Sequence, residues 1–500
     1  GQHTITFQTS PQEQSIMALN FITSTTGPVL VANGDETYLL PGEVITSTSD
    51  GVNLTTGTTL TSFHNYGTVL VGAEAVEVFS QSSIVVNNGV IDSQVDGIDL
   101  NHDVSGGTHR IINNGDIFAQ QEVIDVDASL FFSLVLVNNG RMISTRLNDI
   151  IYDSGVMTNA TVMNTGLIEG GNLNLNANGT IHFSNSGIVQ TSLVSATDST
   201  GSFIANSGQI IDNQGAAGGE VLRTSINADT VSNSGLIVGN VQLGLRDDLF
   251  QNAGSGQVQG DVMGSGGEDT LVGGDSGDRL FGGDQADKLV GRAGDDLLDG
   301  GGDDDFILGG SGNDEMLGGE QNDTLNGGGD NDTLFGDSGN DVLVGQGGAD
   351  YMEGGIDNDT MDGGDGDDTL EGGSGNDILR GRDGEDELAG GQGRDFLTGG
   401  QGADSFVFRS LADAGIGANR DQILDFEQGV DLIVVAGLSP GVFEFRGTAA
   451  FAPSGNPELR LFETGTGSTL VQIDDNGDGV IDAEIRVGGV TGLTADDFVL

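Results

Sequence analysis

The 500-residue chain carries 76 acidic against 16 basic residues, a net charge of −60, with 87 glycines, no cysteine and no tryptophan. That charge disfavours nucleic acid and anionic lipid as direct partners, and the missing cysteines exclude disulfides and thiolate metal sites. No run of eighteen apolar residues occurs, so no membrane span is expected, and the glycine-rich, aromatic-poor composition suits a solenoid with a thin ladder core rather than a compact α/β enzyme.

Residues 1–20 read as a polar, poorly ordered leader. The chain starts at Gly1, and Met17 is a candidate true start because strand patterning begins just after it. No basic stretch followed by an apolar core occurs there, so a Sec-type signal is not expected. From about Phe21 apolar and polar residues alternate, with turn signals at Asn33-Gly34-Asp35 and Ser49-Asp50-Gly51. No long helical period appears.

A loose repeat then sets in: Asn65-Tyr66-Gly67, Asn87-Asn88-Gly89, Asn113-Asn114-Gly115, Asn138-Asn139-Gly140, Asn164-Thr165-Gly166, Asn185-Ser186-Gly187, Asn206-Ser207-Gly208, Asn233-Ser234-Gly235 and Asn252-Ala253-Gly254. Each is an Asn-x-Gly beside an apolar strand, and the glycines fall 19 to 27 residues apart. A period in the low twenties predicts one coil of a parallel β-helix per repeat, over residues 21–263. Asn and Gly both tolerate left-handed backbone, so each coil is expected to turn at the same corner, with the asparagines stacked into a hydrogen-bonded ladder. This half resembles the β-helical passengers of bacterial surface and secreted proteins.

Acidic residues cluster in three successive coils: Asp96, Asp99 and Asp103 around His102, then Glu122, Asp125 and Asp127, then Asp149 and Asp153. Ile98, Ile124 and Ile150 are each 26 apart, so the acids could stack into a stripe. One reading is a cation or glycan groove, as in β-helical polysaccharide lyases and epimerases. The preferred one is a solvated coil edge, because lyase chemistry needs a base and a cation beside the substrate carboxylate. Residues 1–263 hold no lysine and five arginines, Arg110, Arg141, Arg146, Arg223 and Arg246. His102 and His109 read as surface residues rather than a metal pair.

Residues 264–407 repeat a nine-residue unit sixteen times without a gap. The pattern is G-G-x-G-x-D-x-U-x with U apolar, as in Gly372-Gly373-Ser374-Gly375-Asn376-Asp377-Ile378-Leu379-Arg380. Every sixth position is aspartate: Asp269, Asp278, Asp287, Asp296, Asp305, Asp314, Asp323, Asp332, Asp341, Asp350, Asp359, Asp368, Asp377, Asp386, Asp395 and Asp404. The x-U-x triplet predicts a short strand with one inward side chain. The glycine half predicts a turn whose carbonyls and aspartate can line an oxygen cage of the kind Ca²⁺ takes, with about six to eight oxygens. One unit cannot complete a core or a cage alone, and stacked copies can do both.

This block resembles the repeats-in-toxin (RTX) family of calcium-binding nonapeptides. The resemblance implies a parallel β-roll, alternate repeats on opposite sides, and Ca²⁺ held between repeats two apart by the sixteen aspartates and by turn carbonyls. Two columns of eight turns would have about fourteen inter-turn sites. Five units depart at position two (Ser265, Arg292, Asp337, Gln346, Arg382) and six at position four, Ser276, Gln285 and Asp357 among them. The block holds 36 acidic and 6 basic residues, so fourteen ions would add roughly +28 to a net of −30. Folding is therefore expected to be coupled to Ca²⁺ binding.

Residues 408–500 form a further β region. Strand-like stretches run through Arg420-Asp421-Gln422-Ile423-Leu424-Asp425-Phe426 and Gly429-Val430-Asp431-Leu432-Ile433. A hairpin is expected where Thr469-Leu470-Val471-Gln472-Ile473 leads into Asp474-Asp475-Asn476-Gly477-Asp478-Gly479. The same loop looks like the start of an EF-hand, but Ile485 stands where its bidentate Glu would be, so a hairpin turn is preferred. Residues 264–500 resemble the C-terminal part of serralysin-type secreted metalloproteases. The ending Asp497-Phe498-Val499-Leu500 is similar to that family's type I secretion signal, which implies the type I secretion apparatus as a partner.

The protease itself is absent. Its HExxH motif needs a His followed by Glu, and none of His3, His64, His102, His109 and His182 has one. Gly274–Gly277 and Gly336–Gly339 spell Gly-Asp-Ser-Gly inside nonapeptide turns and read as repeat variants, and no glycine-rich string carries the Lys-Ser/Thr of a phosphate loop. The sequence thus predicts an all-β, secreted, extracellular calcium-binding protein: a parallel β-helix, a calcium β-roll and a C-terminal cap. The β-helix is expected to be structural or adhesive, with cell-surface or matrix glycans as candidate partners. A polysaccharide lyase or epimerase is the alternative.

Overall fold

The computed structural model describes residues 2–6, 18–32, 34–57, 60–100, 106–126, 132–153, 157–198, 200–213, 219–435 and 443–500. They are all-β, with three short 3-10 turns and no α-helix among the described residues. Two compact units divide the chain, Gly1–Asp269 and Thr270–Leu500.

The first unit is a three-faced parallel β-helix. Each strand pairs with the strand one coil later, and an alternating pattern turns every second side chain inward. On one face Val85, Ile111, Leu136, Val162, Phe183, Ile204, Val231 and Phe250 fall in register, each at most 2% exposed. A second face stacks Ile91, Ile117, Met142, Ile168, Val189, Ile210 and Ile237 in the same way. The core is therefore a set of one-residue-wide ladders. Gln2–Thr6, within the stretch read as a leader, pairs antiparallel with Ala18–Ile22. Met17 and Asn33 lie outside the described residues.

The Asn-x-Gly corners form the expected ladder. Asn65 Nδ2 donates to Asn87 Oδ1 at 2.7 Å, and the same bond repeats through Asn113, Asn138, Asn164, Asn185, Asn206, Asn233 and Asn252 at 2.7–2.9 Å. The role expected of the glycines needs correction. Of the nine, only Gly254 has a left-handed φ. The others are required by contact: a Cβ on Gly140 would stand 1.9 Å from the Gly115 carbonyl oxygen, and one on Gly166 would stand 2.0 Å from that of Gly140. Glycine lets the stacked backbones touch.

In the second unit strands pair with those eighteen residues away, so alternate repeats lie in two parallel sheets. Leu289, Ile307, Leu325, Leu343, Met361, Leu379 and Leu397 stack in one. Leu280, Leu298, Met316, Leu334, Met352, Leu370 and Leu388 stack in the other. All are fully buried. The strands are longer than the expected triplet. Phe306–Ser311 and its neighbours run six residues, from position seven into position three of the next unit, with the first glycine buried beside the apolar residue. Without side chains, glycine backbones pair closely enough to extend the ladder.

The end of the chain adds to both sheets. Asp421–Ile423 pairs with Phe396–Gln401 and with Ala483–Val487, which returns as the antiparallel partner of Thr469–Asp474, the expected hairpin. Leu432–Val435 pairs with Ser405–Phe408 and with Phe498–Val499. Asp497 is buried and accepts from the Thr494 and Gly429 amides.

Candidate metal centre

From Asp296 to Asp404 each nonapeptide turn presents its aspartate to the turn eighteen residues earlier. The Asp305 amide donates to Asp323 Oδ1 at 2.7 Å, the Asp323 amide to Asp341 Oδ1 at 2.8 Å, and the Asp341 amide to Asp359 Oδ1 at 2.8 Å. The alternate column repeats this through Asp296, Asp314, Asp332, Asp350, Asp368, Asp386 and Asp404. All sixteen aspartates predicted as ligands are at most 4% exposed. From Asp296 to Asp404, every sixth-position Oδ2 is enclosed and accepts no hydrogen bond. Carboxylate oxygens so placed are costly unless a cation meets them.

The glycine at position one clears the space that Oδ2 faces. A Cβ on Gly345 would stand 2.2 Å from Asp350 Oδ2 and 2.5 Å from the Gly363 carbonyl oxygen. On Gly363 it would stand 2.2 Å from Asp368 Oδ2 and 2.7 Å from the Gly381 oxygen. Carboxylate and carbonyl oxygens therefore converge on one side-chain-free pocket per turn. An all-oxygen donor set suits a hard divalent cation such as Ca²⁺.

Burial raises these carboxyls above the usual range. Asp305 and Asp332 are pushed up to about 7, Asp323 and Asp359 to about 8, and Asp377 to about 6. Around Asp323 the charges of Asp305 and Asp341 push the same way, while the Asp305 amide pulls back. The array thus resists carrying its full charge without a counter-ion.

The irregular units keep the turn's backbone, except at Ser276, which does not take a left-handed φ. At position two Ser265, Arg292, Asp337, Gln346 and Arg382 all take left-handed φ, from 69° to 94°, and at position four so do Gln285, Asp303, Gln321, Asp330 and Asp357. These are the turns where the departures threatened the cage, and the stacked neighbours hold them in shape.

Outside the repeats, other expectations meet mixed outcomes. Asp99 and Asp125 pair in register as expected, but Ile124 pairs with Ile151, not Ile150, so Asp149 leaves the stripe and Tyr152 follows Asp125. Asp149 instead accepts from the Asn172 amide and from Asn174. His102, Asp103 and Asp127 lie outside the described residues. His109 is a correction: it is fully buried, its Nδ1 2.9 Å from Ser83 Oγ and its ring edge-on to Phe132, because its position in the strand points inward. In the EF-hand-like loop Asp474 accepts the amides of Gly477, Asp478 and Gly479, so its oxygens hold the hairpin turn.

Sequence reasoning missed two groups. Asp421 extends one column, its Oδ1 accepting the Asp395 amide at 2.8 Å, although 26 residues separate them and break the period. Asp50, Glu74 and Glu77 gather on one edge of the β-helix, where burial and the neighbouring carboxylates push Glu77 up to about 7. No motif joins these three in the sequence; stacking of coils does.

The RTX calcium-binding nonapeptide repeat model matches in overlapping segments from 263–298 through 371–406. No curated protein matches the chain. Among solved structures, a subunit of the Azotobacter vinelandii mannuronan C5-epimerase, known from its solution structure, matches at 32% identity. It covers 29% of this chain and 78% of that one, with a TM-score of 0.24. The repeats bind calcium ions in multiple copies, and with them in place the chain belongs to the RTX calcium-binding proteins.

Proposed function

We propose that the chain is a secreted calcium-binding protein whose roll folds when it meets Ca²⁺ outside the cell. In this reading Asp269, Asp278, Asp287, Asp296, Asp305, Asp314, Asp323, Asp332, Asp341, Asp350, Asp359, Asp368, Asp377, Asp386, Asp395 and Asp404, with the turn carbonyls, hold the ions. Residues 1–20 are a leader, 21–263 the β-helix, 264–407 the roll, and 408–500 a cap carrying the export signal. The observation that carries the reading is the repeated buried Oδ2, facing a glycine-cleared pocket with no donor. Calcium supplies the charge that offsets the carboxylates; the chain supplies oxygens at a fixed spacing. Where Ca²⁺ is scarce, self-repulsion keeps the block unfolded and fit for type I export.

The test is far-UV circular dichroism of the full chain, first in chelator and then titrated with Ca²⁺ or Mg²⁺. A cooperative gain of β signal with Ca²⁺ alone is expected. A β spectrum already complete in chelator would remove the trigger. For export, deletion of residues 497–500 is expected to abolish secretion, and undiminished secretion would sink the signal.

For the β-helix we propose a structural or adhesive role toward cell-surface or matrix glycans. A groove of about 600 Å³ lined by Asn176, Asn178, Thr197, Arg223 and Gln242 offers amides, a hydroxyl and a guanidinium, the donors that sugar hydroxyls take. Incubation with acidic and neutral polysaccharides separates the readings: retention without turnover supports adhesion, and turnover supports the lyase or epimerase alternative.

A further inference from the structure

We propose that the β-helix groove beside Arg223 and Gln242 takes an uncharged glycan built of N-acetylated hexosamines, a ligand class that deepens the adhesive reading and rests on it. The groove crosses four strands of one face, Asn172–Ala177, Leu193–Asp198, Glu220–Arg223 and Asn240–Leu245, which pair in parallel one coil apart. Strands so paired lie about 4.8 Å apart, so the groove runs about 14 Å along the stacking direction, the length of roughly three linked pyranose rings. Its volume of about 600 Å³ fits a ligand of that size.

Charge selects against acidic sugars. Among the described residues that line the groove, Arg223 is the only charged one. Its Nε and Nη2 donate to the two carboxylate oxygens of Glu220, so the pair is neutral as a unit. Residues 1–263 carry 25 acidic residues against five arginines. A chain of uronates or sulfated sugars would meet that negative field with no unpaired cation in the groove to receive it. The ligand that fits has no net charge.

The groups left for a ligand narrow the class further. The floor hydroxyls are engaged within the protein: Thr224 Oγ1 donates to the Leu243 carbonyl, and Ser225 Oγ to Asp229 Oδ2 at 3.1 Å. Gln242 points outward between the inward Val241 and Leu243, in register with Arg223, and Asn178 stands at the other end of the groove. Neither of these side chains is hydrogen-bonded among the described residues. Each offers donors and an acceptor together, so it can pair in both directions with an acetamido group, which is also an amide. Ile226 lines the same groove at 65% exposure, with buried Ala177. It gives an acetyl methyl an apolar contact that a plain hexose cannot use. No aromatic ring lines the groove among the described residues, so selection falls to the two amides and Ile226 rather than to stacking on a sugar ring.

Isothermal titration calorimetry of the full chain in Ca²⁺ tests this with three trisaccharides: the β-1,4 trimer of N-acetylglucosamine, the β-1,4 trimer of glucose, and trigalacturonate. The acetylated trimer is expected to bind, the glucose trimer to bind about tenfold more weakly, and trigalacturonate not to bind. Ile226→Ser and Gln242→Ala change outward side chains, and circular dichroism checks that both variants keep the fold. Each is expected to weaken the acetylated trimer by about three- to tenfold, and Ile226→Ser to leave the glucose trimer unchanged. Equal affinity for the two neutral trimers, tightest binding of trigalacturonate, or full affinity in both variants would overturn the acetylated-sugar site while leaving a glycan-binding β-helix. Binding of none of the three would overturn the site as well, and retention on longer acidic and neutral polysaccharides then decides whether the adhesive reading falls with it.

Discussion

Asp323 divides its carboxylate between two tasks, and so do its counterparts along the roll. Oδ1 accepts the amide of the turn below and fixes the stacking register, while Oδ2 is left for a cation. In the calcium reading proposed above the same residue is both mortar and ligand, which would explain why the sixth position never varies while the second and fourth do. Those departures are tolerated at a cost. Gln285 is exposed and held at φ 79° by the stack, where a non-glycine residue loses about 1 kcal/mol or more. Gln285→Gly is expected to stabilise the calcium-loaded roll by about 1 kcal/mol, read as a rise in the denaturant midpoint with unchanged calcium count. No gain would mean that the turn relaxes without strain.

At the scale of the element, a coil is held by what it shares with its neighbours. Asn138 is fully buried, accepts from Asn113, and donates to Asn164 Oδ1 and to the Leu167 carbonyl. Asn138→Ala would strand a buried acceptor in the coil above and weaken the donor below. A loss of about 1–3 kcal/mol is expected, seen as earlier thermal unfolding of the β-helix with the calcium response of the roll intact. An unchanged midpoint would show that the ladder follows the fold rather than supporting it. The ladder was legible from the Asn-x-Gly spacing. The reason for its glycines was not, because a turn preference and a steric requirement leave the same letter in the sequence. Only the 1.9–2.1 Å approach that a Cβ on Gly89, Gly115, Gly140, Gly166, Gly187, Gly208 or Gly235 would make to the carbonyl of the coil before it tells them apart.

For the whole molecule the dominant quantity is charge. Asp305, Asp323, Asp359 and Asp377 have folded values of about 6 to 8 against an ordinary 3.8. A folded value raised above the unfolded one adds stability that is fully present below about pH 4 and is lost as pH rises through 6 to 8. Metal-free protein is therefore expected to gain β signal in chelator as pH falls from 8 toward 4, with protons standing in for calcium. Calcium affinity should fall over the same range, because the ligands must be deprotonated. Circular dichroism and calcium titration at pH 8, 6.5 and 5 check both signs. A metal-free roll that is more stable at pH 8 than at pH 5 would contradict the burial argument.

The sequence by itself determined the architecture and the ion. A strict nine-residue period with one apolar residue, one aspartate and paired glycines leaves few ways to bury the first and satisfy the second, and stacking in two columns does both. It also carried the β-helix, since a repeat in the low twenties with alternating strands can bury its apolar side chains only by coiling. The tertiary structure decided what depends on distance between coils. Register placed Ile124 on Ile151 and broke the acidic stripe, and strand parity sent His109 inward. Stacking also carried the carboxylate ladder past the last repeat to Asp421 and past the first to Asp248, across spacings of 26 and 21 residues that no periodic pattern reveals. Periodicity is local along the chain and can be read there. The partner of a buried oxygen lies one coil away, at a distance that loop length alone does not state.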